Sequence, residues 1–159
     1  MKPIPISLPA GTILPFAGIN IPDGFMLCDG RALSRAAYAG LFQAIGTAHG
    51  APDVNQFNIP DYRGRFLRGV DFTAGLDPDK ATRTAMKPGG ATGNALGSVQ
   101  GDQIRAHNHT YQFNQTAVGS RTEPALQTSG NGGNSQTTNN TGGNETRPVN
   151  AYVNFIIKT

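Results

Sequence analysis

The chain has 159 residues, of which 37% are hydrophobic and 14% are charged, with 21 glycines and 11 prolines. This length suits one domain with a modest core, and the glycine and proline content favours loops and short strands. The net charge is +3 at pH 7, but Lys and Arg are scattered singly, which argues against a nucleic-acid partner. No run approaches the roughly 20 apolar residues of a membrane span, and no signal-type apolar run follows Met1, so we expect neither membrane insertion nor a signal peptide.

Cys28 is the only cysteine of the chain, so no intrachain disulfide can stabilise a thin core. This favours assembly in a reducing compartment. Because Met26 and Leu27 beside it are apolar, we expect Cys28 to be a small buried hydrophobic side chain and not a nucleophile. Association of subunits is the other source of buried surface, and we therefore expect an oligomer.

Two short strands are predicted in the first thirty residues. Residues 8–16 are extended, and Pro15 indicates an edge strand because it cannot donate a ladder hydrogen bond. Turns at 22–24 and 29–30 enclose an apolar run at 25–28, which is typical of a strand between two tight turns.

One helix is predicted, beginning at Ser34 as the N-cap, with Leu33 and Tyr38 placed as a hydrophobic staple. Gly46 is positioned to end it in the left-handed conformation. The buried face of this helix follows helical spacing through Tyr38, Leu41, Phe42 and Ile45.

The chain divides into three regions. Residues 8–70 form the first domain, and residues 71–145 are dominated by Gly, Asn, Gln, Ser and Thr, so that no conventional core is expected there. Residues 146–159 return to the first domain as a strand, because apolar and other residues alternate from 151 to 158. The predicted class is mainly β with one short helix, plus a Gly/Asn-rich distal region that is interwoven in a trimer.

Two blocks of the chain carry specific motifs. The first contains Gly11-Thr12-Ile13-Leu14-Pro15-Phe16, Cys28-Asp29-Gly30, Phe57-Asn58-Ile59-Pro60-Asp61 and Arg63-Gly64-Arg65-Phe66. The second contains Gly101-Asp102, His107-Asn108-His109-Thr110 and Thr146-Arg147-Pro148-Val149-Asn150. Together they resemble the phage tail collar domain family, which is found in short tail fibres and in receptor-binding tip proteins.

The resemblance implies a virion protein of a phage tail or a phage-tail-like particle, made in the host cytoplasm. It implies an intertwined homotrimer that displays variable loops toward the host and contacts other tail fibre or baseplate proteins. The function expected from it is host attachment, by binding a bacterial surface receptor such as an envelope glycan or lipopolysaccharide.

His107 and His109 form a metal-like pair, because residues two apart in an extended backbone face the same side. Three chains on a three-fold axis offer six imidazole nitrogens, which suits one structural transition metal, iron first, with zinc or nickel as alternatives. The other interpretation is a surface or interface pair without metal.

Arg63, Arg65 and Arg68 have two interpretations. Guanidinium groups bind phosphates and acidic sugars of a bacterial envelope bidentately. Alternatively, the arginines pair with carboxylates such as Asp61 and Asp29 and stabilise the subunit. We favour the structural interpretation.

The predicted receptor-binding residues are Tyr111, Phe113 and Arg121, ahead of the amide-rich segment at 127–144. Aromatic faces and amide groups suit the rings and hydroxyls of sugars. The alternative is that this region is a spacer without a recognition role.

We expect no enzymatic activity. A depolymerase that cleaves envelope glycans needs two carboxylates about 5 to 10 Å apart across a cleft. Asp23 and Asp29 instead precede glycine in turns, and Asp61 follows a proline. The remaining alternative is a purely structural tail assembly protein, against which the long polar region argues, because such a protein gains little from displayed loops.

Overall fold

The computed structural model of the protein describes residues 8–104 and 147–159. Within these residues the fold is mainly β with a single short α-helix, α1 (Ala39–Ile45), as predicted. The strands are β1 (Ile13–Phe16), β2 (Phe25–Leu27), β3 (Ala32–Ser34), β4 (Gln56–Asn58), β5 (Thr84–Ala85), β6 (Ser98–Val99) and β7 (Asn154–Lys158). The predicted interwoven distal region falls mostly on residues outside the described ranges.

The largest sheet has the order β1-β7-β2, and both pairings are antiparallel. Its central strand is β7, whose Ile157 lies opposite Ile13 on one side and Met26 on the other. β1 is an edge strand, so the missing N–H of Pro15 is tolerated.

β7 shows why the predicted alternation only partly holds. Ile156 and Ile157 are adjacent, yet both are buried. A strand with neighbours on both sides and protein on both faces buries successive residues, so the burial loses its period of two. The strand also begins at Asn154, and the exposed residues 151–153 precede it.

The helix begins later than predicted. α1 starts after Tyr38, and Ser34, the predicted N-cap, ends β3 instead. The hydroxyl oxygen of Ser34 accepts a hydrogen bond from the amide of Ala37 at 3.3 Å, so it caps a turn ahead of the helix. The predicted end at Gly46 is confirmed, with φ at +55° and its N–H donating to the Phe42 carbonyl.

The remaining sheets are two antiparallel pairs, β3 with β4 and β5 with β6. A core forms between α1, β3, β4 and the largest sheet, and Phe57 and Ile59 are fully buried in it. Its other buried members are Cys28, Leu33, Leu41 and Ile157.

The chain separates into two compact units, one of Met1–Gly101 with Val149–Thr159 and one of Asp102–Pro148. The first unit thus extends past residue 70 and includes β5 and β6. No buried large hydrophobic residue lies within its described segment 71–101, where polar interactions hold the chain instead. Among the described residues, no helix has the length and apolar character needed to cross a membrane.

Candidate functional site

Two Asp-x-Arg turns lie side by side in the first unit. Asp29 and Asp61 pair in an isolated antiparallel bridge. The guanidinium of Arg31 donates to both carboxylate oxygens of Asp29, and that of Arg63 donates to both oxygens of Asp61 at 2.8 and 2.7 Å. Arg63 also reaches the Asp29 carbonyl at 3.1 Å, so it joins the two turns.

These pairings fix the charge of the two turns. Hydrogen bonds from Arg31 lower the pKa of Asp29, and hydrogen bonds from Arg63 lower the pKa of Asp61. Both carboxylates are therefore held as anions and are unsuited to donate a proton as general acids near neutral pH.

Arg63, Arg65 and Arg68, for which the sequence left two interpretations open, have different environments. Arg63 pairs with Asp61, and Arg68 lies 3.6 Å from the carboxylate of Asp77 and donates to the Leu76 carbonyl at 3.1 Å. The predicted pairing of Arg63 with Asp61 is confirmed, and Arg68 pairs with a carboxylate that was not predicted. Arg65 is exposed and makes no ion pair within the described part of the chain.

Asp71 organises the loop that follows. Its buried carboxylate accepts hydrogen bonds from the amides of Gly75, Leu76 and Asp77 and from the Lys80 ammonium at 2.6 Å. The hydrogen bond from Lys80 is the main cause that lowers the pKa of Asp71. One carboxylate thus satisfies a whole turn in place of an apolar core.

Arg83 joins this turn to the β5–β6 pair. Its guanidinium lies 3.3 Å from Asp77 and donates to the side chains of Ser98 and Gln100 at 3.0 and 2.9 Å. A further bond reaches the Ser98 carbonyl at 3.2 Å. This half-buried arginine is therefore a structural centre for the second half of the unit.

Phe72 has an unusual backbone, with φ at +44°, the only described non-glycine residue with positive φ. The Asn94 amide clamps it from both sides: its oxygen accepts from the Phe72 N–H at 3.0 Å, and its nitrogen donates to the Phe72 carbonyl at 2.6 Å. Lys80 donates to the same carbonyl at 3.1 Å. These bonds hold a conformation that is unfavourable for a side chain with a Cβ.

Residues 66–76, which we call the apolar loop, expose four large hydrophobic side chains. The exposed fractions are 68% for Phe66, 46% for Leu67, 66% for Phe72 and 79% for Leu76. Since hydrogen bonds of Arg68 and Asp71 close this loop on itself, these side chains lie on an ordered surface.

Cys28 is buried, as predicted, and burial raises the pKa of its thiol to about 12. The thiolate, which is the nucleophilic form, is therefore not populated at neutral pH. His49 is also buried, and burial lowers its pKa to about 4. Its ring meets Tyr62 edge-on, with 6.1 Å between the centroids.

The other predicted site residues lie outside the described ranges. These are the metal pair His107 and His109 and the receptor-binding residues Tyr111, Phe113 and Arg121. Within residues 8–104 and 147–159, no group of three or more His, Cys, Asp or Glu residues could hold a metal ion.

Three features of the structure were not predicted from the sequence: the turn around Asp71, the hydrogen bonds of Arg83 and those that hold Phe72. The Asp71 turn has a local signal, because Asp71 precedes Gly75 in a segment rich in turn formers. The contact between Phe72 and Asn94 has no local signal, since the two residues are far apart in sequence and neither is a glycine.

Three curated relatives are similar to most of this chain. Protein RhiB of Rhizobium leguminosarum bv. viciae is 39% identical over 141 residues, which cover 86% of this chain and 64% of RhiB. Putative uncharacterized protein StfE of Escherichia coli K12 is 30% identical over 112 residues, covering 70% of this chain and 50% of StfE. Short tail fiber protein gp12 of Enterobacteria phage T4 is 28% identical over 191 aligned positions, covering 96% of this chain and 35% of gp12.

The chain thus spans between about a third and two thirds of the length of these relatives. Residues 11–67 match the sequence model of the phage tail collar domain. This range contains β1 to β4, α1 and both Asp-x-Arg turns, and it ends at Leu67 inside the apolar loop. Residues 11–67 of the chain are therefore similar to the phage tail collar domain family.

Proposed function

We propose that the chain is the tip of a tail fibre, in a phage or a phage-tail-like particle, that binds a bacterial surface receptor as a homotrimer. The receptor is an envelope glycan or lipopolysaccharide, and the other partners are tail fibre or baseplate proteins of the particle. The single observation that carries this proposal is the collar domain match over residues 11–67. The similarity to the T4 short tail fibre protein over 96% of the chain supports it.

Several described residues that are chemically able to act in catalysis have structural roles instead. The carboxylates of Asp29, Asp61 and Asp71 are each committed to a cation, and Asp77 lies between two arginines. The buried thiol of Cys28 is protonated at neutral pH. These groups have structural roles, which fits a protein that attaches to a surface without cleaving it.

The proposal is tested by adding labelled full-length protein to a panel of Gram-negative strains, and to purified lipopolysaccharide from the strains that bind. We expect saturable binding without release of reducing sugar. Release of reducing sugar would show a depolymerase instead, and absence of binding to every strain would favour the structural tail assembly alternative.

Variants separate recognition from folding. Tyr111→Ala, Phe113→Ala and Arg121→Ala are each expected to weaken cell binding while the unfolding midpoint stays unchanged. Arg63→Ala is the control for a change in folding, because Arg63 joins the two Asp-x-Arg turns. We expect this variant, unlike the other three, to lower the unfolding midpoint. Normal binding by all three variants would remove the recognition site from this region.

The proposal includes a structural metal ion on the trimer axis, held by His107 and His109 of each chain. Iron is the first candidate, with zinc or nickel as alternatives, because six imidazole nitrogens suit octahedral transition metals.

A further inference from the structure

The apolar loop (66–76) has the composition of an interaction surface. Single exposed apolar side chains are ordinary on proteins, but this short loop contains four large ones, each at least 46% exposed: Phe66, Leu67, Phe72 and Leu76. Most of the loop lies beyond the collar match, which ends at residue 67. The similarity to the collar domain therefore does not account for the exposed side chains of residues 68–76.

The loop is ordered in advance of any partner. The Asp71 carboxylate closes it through three backbone amides, and Arg68 donates to the Leu76 carbonyl. Three hydrogen bonds hold Phe72 in its left-handed conformation: its N–H donates to the Asn94 oxygen, and its carbonyl accepts from Asn94 and Lys80. The ring is left exposed. A partner that buries a fixed ring avoids the entropy of ordering it.

We propose that the apolar loop binds a second copy of this chain, with Phe72 as the anchoring side chain. The inference rests on the homo-oligomer within the proposed function, and it adds the surface through which the copies meet. Two features of the loop favour another copy over a receptor glycan.

The first feature is the use of the polar groups around Phe72. Recognition of a sugar needs free hydrogen-bonding groups beside the aromatic ring. Here the oxygen and one N–H of the Asn94 amide bind the Phe72 backbone, and two N–H groups of Lys80 bind Phe72 and Asp71. The exposed hydrophobic side chains of the loop suit an apolar partner.

The second feature is charge. The charged residues of the loop and of the turn after it form ion pairs within the chain: Arg68 and Arg83 with Asp77, and Lys80 with Asp71. Arg65 and Asp79 are exposed and make no ion pair among the described residues. Arg65 directly precedes the loop in sequence, and Asp79 follows it closely. One cation and one anion that flank the loop complement a second copy of it, because Arg65 of one copy can meet Asp79 of the next.

Phe72→Gly is the principal test, with molar mass measured by light scattering across a dilution series of the full chain. Glycine adopts a positive φ without strain, so this variant is expected to fold as well as the wild type. We expect its association to weaken roughly thirty-fold or more, from the loss of one buried phenyl group per contact. Ile19→Gly is the control, since Ile19 is also a large apolar residue, is 91% exposed and lies outside the loop.

Leu76→Ser tests the same association without altering Phe72, the residue with positive φ. It replaces Phe72→Gly as the test of the apolar loop if that variant does not fold. Association as tight as in the wild type, in whichever folded variant is measured, would overturn the inference. A wild-type chain that is monomeric at every concentration would overturn it as well.

Charge reversal tests the polar contact. Arg65→Asp and Asp79→Arg each place like charges together and are expected to weaken association about three- to ten-fold. The double variant restores opposite charges and should recover most of the wild-type association. Equal loss in the single and double variants would contradict a pairing between these residues and would overturn this part of the inference.

Failure of the inference is distinguishable from failure of the proposed function. Association is measured on purified protein alone, whereas host attachment is measured on bacterial cells. If the wild type binds cells and Phe72→Gly associates normally, the proposed attachment function is supported and association through the apolar loop is contradicted. If Phe72→Gly dissociates and the wild type binds no strain, association through the loop is supported and the attachment function is contradicted.

Discussion

His49 is a buried histidine whose Nδ1 has no hydrogen-bond partner within the described residues. Only 3% of the residue is exposed, and the neighbouring ring is the uncharged Tyr62. Burial lowers its pKa from 6.5 to about 4, so the neutral form is favoured in the folded chain. Protonation of this ring is therefore less favourable in the folded chain than in the unfolded chain.

The sign of the pH dependence follows from that shift. Above pH 6.5 the histidine is neutral in both states and contributes no pH dependence, whereas between pH 6.5 and 4 the unfolded chain binds the extra proton. We predict that the contribution of His49 to the free energy of unfolding falls by about 2 to 3 kcal/mol between pH 7.5 and 4.5. Urea unfolding across this range, compared with His49→Leu, measures the term, and an equal slope in both proteins would contradict it.

Another residue, Gly97, shows how closely the backbone packs beside His49. A Cβ at Gly97 would lie 2.3 Å from the Ala48 carbonyl oxygen and 3.2 Å from Nδ1 of His49, and its φ is +91°. Only glycine permits both the conformation and the approach. The segment before β6 therefore covers His49 with backbone, which explains why the ring is sealed from water.

At the scale of elements, the 71–80 turn depends on one carboxylate. We predict that Asp71→Asn lowers the free energy of unfolding by about 3 kcal/mol. The substitution removes the ion pair with Lys80, and it places a side-chain NH2 group, which can only donate, against backbone N–H donors. Hydrogen exchange at Gly75, Leu76 and Asp77 should accelerate in the same variant.

Asp23→Asn is the control for this change, since Asp23 lies exposed in a turn. It is expected to shift the unfolding free energy by less than about 0.5 kcal/mol. Unchanged exchange at the three amides in Asp71→Asn would show that backbone geometry alone maintains the turn.

Local patterns identified several elements of the collar unit. The edge strand with Pro15, the strand before Cys28 and the end of the helix at Gly46 each follow from chemistry within a few residues. The start of the helix did not follow, because Ser34 is used by the pairing of β3 with β4, a contact distant in sequence. Tertiary pairing thus overrode a sound capping signal.

The site was less predictable than the fold. Pairing of Arg63 with Asp61 follows from their spacing, but Arg83 and Asn94 act through partners that lie at least six residues away. Polar networks of this kind leave no periodic signal in a sequence. The metal pair and the receptor residues stay predictions, as they lie outside the described residues.

At the scale of the whole molecule, the trimer and its metal can be tested together. Light scattering with elemental analysis is expected to show a trimer that carries about one transition metal ion, because three chains supply six histidine nitrogens. The His107→Ala/His109→Ala variant should lose the metal. A metal-free wild-type trimer would discard the axial site and keep the tip, whereas a monomer would contradict both.

The place of β7 between β1 and β2 has a consequence for how the chain tolerates change. Pairing of β7 with β2 closes a loop formed by residues 28–153. The entropy lost on closing a long loop grows only with the logarithm of its length, so each doubling costs about 0.6 kcal/mol. Segments between β6 and β7 can therefore lengthen or shorten at little cost to the collar. The alignment with the T4 protein spans 191 positions, more than the 159 residues of this chain, so the T4 protein has insertions relative to this chain.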